Sequence, residues 1–271
     1  MTAPFLLTAE MRLAEARGPK IVITGVPGSG KTYLLNTIPT ELLAKVLFLD
    51  SDAGDTPVAG LPVASARPQI WPEFRDIACA LGGPNRAVAA NAPYGEAHYR
   101  TVMANPDLAG LADFEILFFD SLSDASRRCR LWAEQQPEAF TDRGKKDLRA
   151  VYGLVAREMT GLLQQMQHTR SRTIIFVVVL EKVVDDFGVA TWRLQLEGQK
   201  TANVLPSIVD EVLTLAHLKF PDAQDPVRCF VTREPNSWAL PGKDRSGKLD
   251  LLEPPDLGKL LAKLNAHKRE E

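Results

Sequence analysis

Gly25-Val26-Pro27-Gly28-Ser29-Gly30-Lys31-Thr32 carries every fixed position of the pattern G-x-x-x-x-G-K-[ST]. The run sits where a phosphate-binding loop can work. Upstream, Lys20-Ile21-Val22-Ile23-Thr24 has the composition of a short buried strand, and downstream Leu34, Leu35 and Ile38 mark the apolar face of a helix opened by the Lys-Thr pair. Glycines let the backbone curl so that successive N–H groups face an anion, and a helix N-terminus adds partial positive charge. In this chemistry Lys31 reaches the β- and γ-phosphates and the Thr32 hydroxyl ligates Mg²⁺. The eight residues from Gly25 to Thr32 therefore form a candidate ATP site, with ATP and Mg²⁺ as the expected cofactors.

Working outward, apolar runs alternate with helical patterns. Val46-Leu47-Phe48-Leu49-Asp50, Ile116-Leu117-Phe118-Phe119-Asp120 and residues 173–180 are all-apolar stretches of strand length. Such runs suit strands buried on both faces, so the expected fold is α/β, a mostly parallel sheet flanked by helices. Leu148, Val151, Leu154, Val155, Met159, Leu162, Leu163 and Met166 recur at three- and four-residue steps, which predicts one long amphipathic helix over 147–168. Residues 211–220 and 227–232 are expected as antiparallel edge strands, and 257–267 as a C-terminal helix. Residues 1–17 form a lead-in, and 18–271 a single domain with a Pro/Gly/Asn-rich insertion around 82–110.

Composition sets bounds. The chain has 271 residues, is 45% hydrophobic and carries a formal net charge of −2, so a nucleic-acid contact must come from a local patch. Arg143, Lys145, Lys146 and Arg149 form the densest basic group, with Arg127, Arg128 and Arg130 nearby. Three scattered cysteines argue against a disulfide framework or a zinc site and fit a reducing cytoplasm. No apolar run reaches the roughly 20 residues that span a bilayer, and no secretory leader is evident in the first 20 residues.

A P-loop ATPase needs a carboxylate opposite its lysine. Asp120, closing an apolar strand, fits that place and would help hold Mg²⁺. Many ATPases carry Glu directly after this Asp as the base for water; here Ser121 follows, so the base must come from elsewhere. Asp50 and Asp52 close the second strand, which is expected to run beside the P-loop strand. Asp52 is the candidate base, because Asp50 directly ends the apolar run.

This ordering of motifs resembles the RecA-like recombinase core, and more closely the phage-encoded AAA-type ATP-binding proteins that consist of that core. The resemblance implies that Asp50-Ser51-Asp52 matches the Asp-x-Glu at the end of the second strand, with Asp52 in the place of the catalytic Glu, and that Asp120-Ser121 matches the Asp-Ser after the third. It implies a first DNA-binding loop over 138–146, a second over 181–201 and a short helix over 203–209. Single-stranded DNA would then contact Arg143, Lys145, Lys146 and Arg149, with Trp192 as a stacking ring and Arg193 as a phosphate contact. Lys243 and Arg245 resemble basic residues that reach a neighbouring subunit's nucleotide, which implies a homo-oligomer; Phe5 is read as part of a simple amphipathic lead-in, with a short tether to a neighbour as the alternative. The cytoplasm of a bacterial host follows from the phage resemblance. One departure concerns coupling: the family ends the fourth strand in Gln, whereas here Leu180 is followed by Glu181. The function implied is ATP hydrolysis on single-stranded DNA in phage-type recombination or annealing. A small-molecule kinase and a nucleotide-gated adaptor or loader share the loop chemistry.

Overall fold

The computed structural model describes residues 6–15, 17–184, 186–221 and 223–266. Phe5 and His267 lie outside them.

The centre of the molecule is β1 (Lys20–Gly25), buried along its whole length. Around it stand β2 (Val46–Asp50), β3 (Ala64–Ala66), β4 (Ile116–Asp120), β5 (Thr173–Val184), β6 (Ala190–Leu194), β7 (Glu211–Leu218), β8 (Val227–Val231), β9 (Lys243–Asp244) and β10 (Leu252–Glu253). The sheet order is β10-β8-β7-β1-β5-β4-β2-β3, with β6 paired to β5 and β9 to β7. The five pairings among β1, β2, β3, β4, β5 and β7 are all parallel, and β7 with β8 is antiparallel. β10 on β8, β6 on β5 and β9 on β7 are likewise antiparallel. With β5 standing between the P-loop strand and the Asp120 strand, this is a RecA-like P-loop sheet.

The helices are α1 (Ala9–Ala14), α2 (Thr40–Leu43), α3 (Trp71–Gly82), α4 (Glu96–Met103), α5 (Pro106–Ala109), α6 (Leu122–Ala133), α7 (Leu148–Gln167), α8 (Gln199–Ile208) and α9 (Leu257–Asn265). Strict alternation along the apolar strands sorts side chains between two layers. Val22, Leu47, Leu49, Leu117, Phe119, Ile174 and Phe176 pack with the buried faces of α3, α6, α7 and α8. Ile21, Ile23, Val46, Phe48, Phe118, Ile175 and Val177 pack on the other face with Leu34, Leu35 and the leucines of α9. Both faces of the central strands are therefore covered, which is why their sequences show no polar alternation. Asp147 caps α7 by accepting from the N–H groups of Arg149 and Ala150, so the periodic stripe begins where the cap permits.

Three expectations need correction. β2 does not run beside β1, because β5 and β4 stand between them. β7 is no antiparallel edge strand: it pairs in parallel with β1 through Ile21–Thr24 and antiparallel with β8, so it is interior. The helix after the P-loop is only a 3-10 segment, Thr32–Thr37, separated from α2 by Ile38 and Pro39. Proline favours an extended residue before it, and Ile38 is extended with ψ 131°. The 82–110 insertion holds α4 and α5, and it is stitched into the main core by buried Tyr94 and Val102.

Candidate nucleotide-binding site

Parallel strands end on one side of the sheet, and the site gathers there. At the end of β1 the chain turns directly: a Cβ on Gly25 would lie 2.6 Å from the Leu215 carbonyl oxygen and 2.7 Å from Ser29 Oγ. Gly28 and Gly30 take φ of +77° and +87°, which an L side chain rarely adopts. Lys31 is buried, and its Nζ donates to the carbonyls of Gly25 (2.9 Å) and Val26 (3.0 Å), folding it across its own loop. Burial lowers its pKa, and the carboxylates of Asp120 and Asp52 oppose that shift.

Thr32 Oγ1 donates to Asp120 Oδ2 at 2.5 Å, so the hydroxyl and carboxylate read from sequence as a metal pair do meet. Burial raises the Asp120 pKa to about 6, against the Thr32 hydrogen bond, with further upward pressure from Asp52. A hydroxyl and a buried carboxylate beside a loop that Cβ atoms would block are oxygen donors suited to Mg²⁺ and a triphosphate, so the residues fit both groups. Among the described residues no cluster of three or more His, Cys, Asp or Glu side chains forms a separate metal site. Cys79, Cys129 and Cys229 are buried free thiols.

Asp50 stands opposite Asp120 in the β2–β4 register, and its Oδ1 accepts from Gly54 N at 3.0 Å, which makes it a turn anchor. Asp52 is exposed beyond it, and partial burial with the nearby Asp50 and Asp124 raises its pKa. Its charge is felt by both Asp120 and Lys31, so it belongs to the same electrostatic cluster, although two strands separate β2 from β1. Ser51 ties the strand ends together: its Oγ donates to Ser121 O at 2.9 Å and accepts from Ser121 N at 2.8 Å. Arg128 reinforces this by donating to Ser51 O (3.1 Å), Gln69 O (2.7 Å) and Asp124 Oδ2 (2.8 Å).

Two contributors escaped the sequence reading. Ser51 looks like an ordinary turn residue. Arg228, in β8, donates from Nε to Ser29 O (3.1 Å) and from Nη2 to Gly30 O (2.7 Å), and it carries no motif.

The candidate DNA contacts fall on two surfaces joined by a third. Arg143 and Lys145 stand exposed in a small hairpin closed by the Phe140–Lys146 bridge, and Arg149 is exposed in the first turn of α7. Lys146 is paired with Glu134 at 2.9 Å. Arg193 is exposed on β6, whereas Trp192 is half-buried, with Lys182 Nζ 5.7 Å from its ring centre. Trp192 also lines a cavity of about 320 Å³ shared with Val26 and Ser29 of the P-loop. Between the surfaces, Arg127 donates to Gln195 at 3.0 Å, and Arg130 reaches Glu197 at 3.4 Å while lying 5.7 Å from the Tyr152 ring centre. Glu181, at the place of the family's Gln, accepts from Gln195 Nε2 at 3.3 Å.

Lys243 and Arg245 do not line their own P-loop. Lys243 Nζ donates to Pro206 O and Val209 O, both at 2.7 Å, and Arg245 pairs with Asp210 at 3.4 Å. Among the described residues no helix is long and apolar enough to cross a membrane.

No curated protein matches the chain. Among solved structures, the chain is similar to a KaiC-like protein from the hyperthermophilic archaeon Pyrococcus horikoshii OT3, at 14% identity and TM-score 0.38, covering 79% of this chain and 78% of that one. It is also similar to a prototypical ATPase of the type III secretion system of pathogenic bacteria, at 16% identity and TM-score 0.39, covering 74% of this chain and 51% of that one. Likeness at this level says nothing about substrate or partner. The sequence itself matches the AAA domain family over residues 17–246, a span that includes the P-loop, Asp52, Asp120 and both basic surfaces. The chain belongs to the AAA domain family of P-loop proteins.

Proposed function

We propose that the protein is an ATPase that acts on single-stranded DNA as a homo-oligomer, in phage-type recombination or annealing. The observation that carries the ATPase reading is the meeting of Thr32 and Asp120 at 2.5 Å beside a complete P-loop. Thr32 and Asp120 would hold Mg²⁺, which supplies neutralising charge to the β- and γ-phosphates. Lys31 binds the phosphates, and Asp52 is the base that orients water.

The DNA reading is supported by the exposed cations Arg143, Lys145, Arg149 and Arg193. Arg130, beside the Tyr152 ring, and Arg127, bonded to Gln195, add an aromatic face and further guanidinium groups, although Glu134, Glu197 and Asp124 pair with them. In an oligomer, Lys243 and Arg245 would have to leave Pro206, Val209 and Asp210 to approach a neighbour's nucleotide.

The test is a phosphate-release assay without DNA, with single strands and with duplex. Single strands should raise turnover, Lys31→Ala should abolish it, and Asp52→Asn should lose turnover while still binding ATP. Turnover indifferent to DNA would favour the adaptor or loader, and a phosphorylated small-molecule acceptor the kinase. The kinase gains no support from the insertion, where Arg100 is paired with Glu96 at 3.1 Å and Tyr94 and Val102 are committed to the core.

A further inference from the structure

Arg228 approaches the P-loop from behind. Its guanidinium offers two donors to two successive carbonyls, Ser29 O at 3.1 Å and Gly30 O at 2.7 Å. The glycine makes room for it, since a Cβ on Gly30 would come within 2.8 Å of Arg228 Nη2. The exposed Tyr33 ring lies 5.9 Å from the guanidinium carbon and flanks it on the solvent side. Desolvation lowers the Arg228 pKa, as befits a cation partly withdrawn from water against the loop.

Peptide geometry gives these two bonds a meaning. Both linkages are trans, and in a trans peptide the carbonyl of one residue points opposite to the N–H of the next. Holding Ser29 O toward Arg228 turns the Gly30 N–H away from it, and holding Gly30 O does the same for the Lys31 N–H. Among the described residues neither N–H has an intrachain acceptor. Both donors open on the side opposite the guanidinium. They belong to the Gly-Lys pair of the loop, where an anion is expected.

We infer that Arg228 is a positioning residue for nucleotide binding: it fixes the Ser29–Gly30 and Gly30–Lys31 peptides so that their N–H groups face the phosphates before ATP arrives. This rests on the proposed binding of ATP at the P-loop. Arginine suits the task because its fork supplies two nearly parallel donors at fixed spacing, whereas lysine offers a single flexible point charge. The N–H groups of a loop left free to rotate would have to be ordered at each binding event, which weakens affinity without touching chemistry.

The experiment compares ATP binding by calorimetry and steady-state turnover in the full-length wild type, Arg228→Ala and Arg228→Lys. Loss of the two charge-assisted bonds should raise the ATP dissociation constant about tenfold in Arg228→Ala. KM should rise with it, while kcat at saturating ATP and the melting temperature stay near wild type. Methylguanidinium added to Arg228→Ala should recover affinity, whereas Arg228→Lys should not. Wild-type affinity in either variant overturns the inference, because the first removes any role and the second reduces it to charge. Affinity lost only in step with melting temperature also overturns it, as general support of the fold. A wild type that binds no ATP would sink the nucleotide reading itself, a result distinct from any of these.

Discussion

The Thr32 hydroxyl and the Asp120 carboxylate, 88 positions apart in the chain, are joined by a hydrogen bond of 2.5 Å. The contact spans the gap that β5 opens between the strands leading to these two residues. Burial pushes the pKa of the same carboxylate up to about 6.

That value sets a direction for pH dependence. The raised pKa means that Asp120 takes up its proton as pH falls through about 6, and a protonated carboxyl no longer serves a cation. Affinity for Mg²⁺·ATP should therefore be full near pH 8 and weaken below pH 6, by up to about tenfold per unit once the proton is bound. Asp120→Asn should bind weakly with little pH dependence over the same range. Calorimetric titration between pH 5 and 8 separates the two behaviours, and a flat wild-type profile would contradict the assignment.

Glu211 should make the fold less stable as pH rises. Burial, then the charge of Asp244 and a side-chain hydrogen bond with it, lift its pKa from 4.5 to about 7. Between those values the folded chain keeps a proton that the unfolded chain has released, so stability falls with rising pH across the window. Glu211→Gln should be more stable than wild type at pH 8 by on the order of 1–3 kcal/mol and should match it at pH 4. Urea midpoints at the two pH values measure this.

Lys20 is a structural lysine at the opposite end of β1. Its buried ammonium donates to the carbonyls of Gly18 (2.8 Å), Thr169 (2.9 Å) and Arg172 (2.7 Å), tying the entry of β1 to the turn before β5. Lys20→Met keeps the aliphatic length and strands three carbonyls, for an expected loss of about 2–4 kcal/mol. Denaturant unfolding with unchanged ATP affinity in the folded protein is the expected pairing.

The basic surface makes a salt-dependent prediction. Arg143 and Lys145 are exposed, whereas Lys146 is engaged by Glu134. The double substitution Arg143→Ala and Lys145→Ala should lower single-strand affinity and flatten the plot of log K against log salt by about 0.7 per lost contact. Tyr152→Ala should weaken binding with the salt slope unchanged. Fluorescence anisotropy over a salt series reads both, and an unaltered slope in the double variant would remove these residues from the interface.

The elements nearest the P-loop were legible because burial on both faces forces an unmistakable composition. Val46–Asp50 and Ile116–Asp120 begin and end where their apolar runs do. Their neighbours were not legible, since a run of apolar residues reports burial and not which strand lies beside it. Neither the two strands between β1 and β2 nor the interior place of β7 can therefore be read from their apolar runs. Leu34, Leu35 and Ile38 have helical spacing, but Pro39 favours the extended Ile38, so the turn after the loop stops at Thr37. Thr32 and Asp120 could be read from motif and strand ending. Arg228 could not: it contacts Ser29 from 199 positions away, and one arginine among many carries no local signal.

β5 runs unbroken for twelve residues, from Thr173 to Val184. Ile174–Val179 pair with β1, and Leu180–Val184 pair instead with β6, beyond the edges of the neighbouring strands. An extended strand contains no joint, so the inner half and the outer half behave as one beam. Anchored beside the P-loop at one end and free to carry Trp192 and Arg193 through β6 at the other, it makes the outer hairpin a pointer whose direction is fixed by the strand that meets the nucleotide loop.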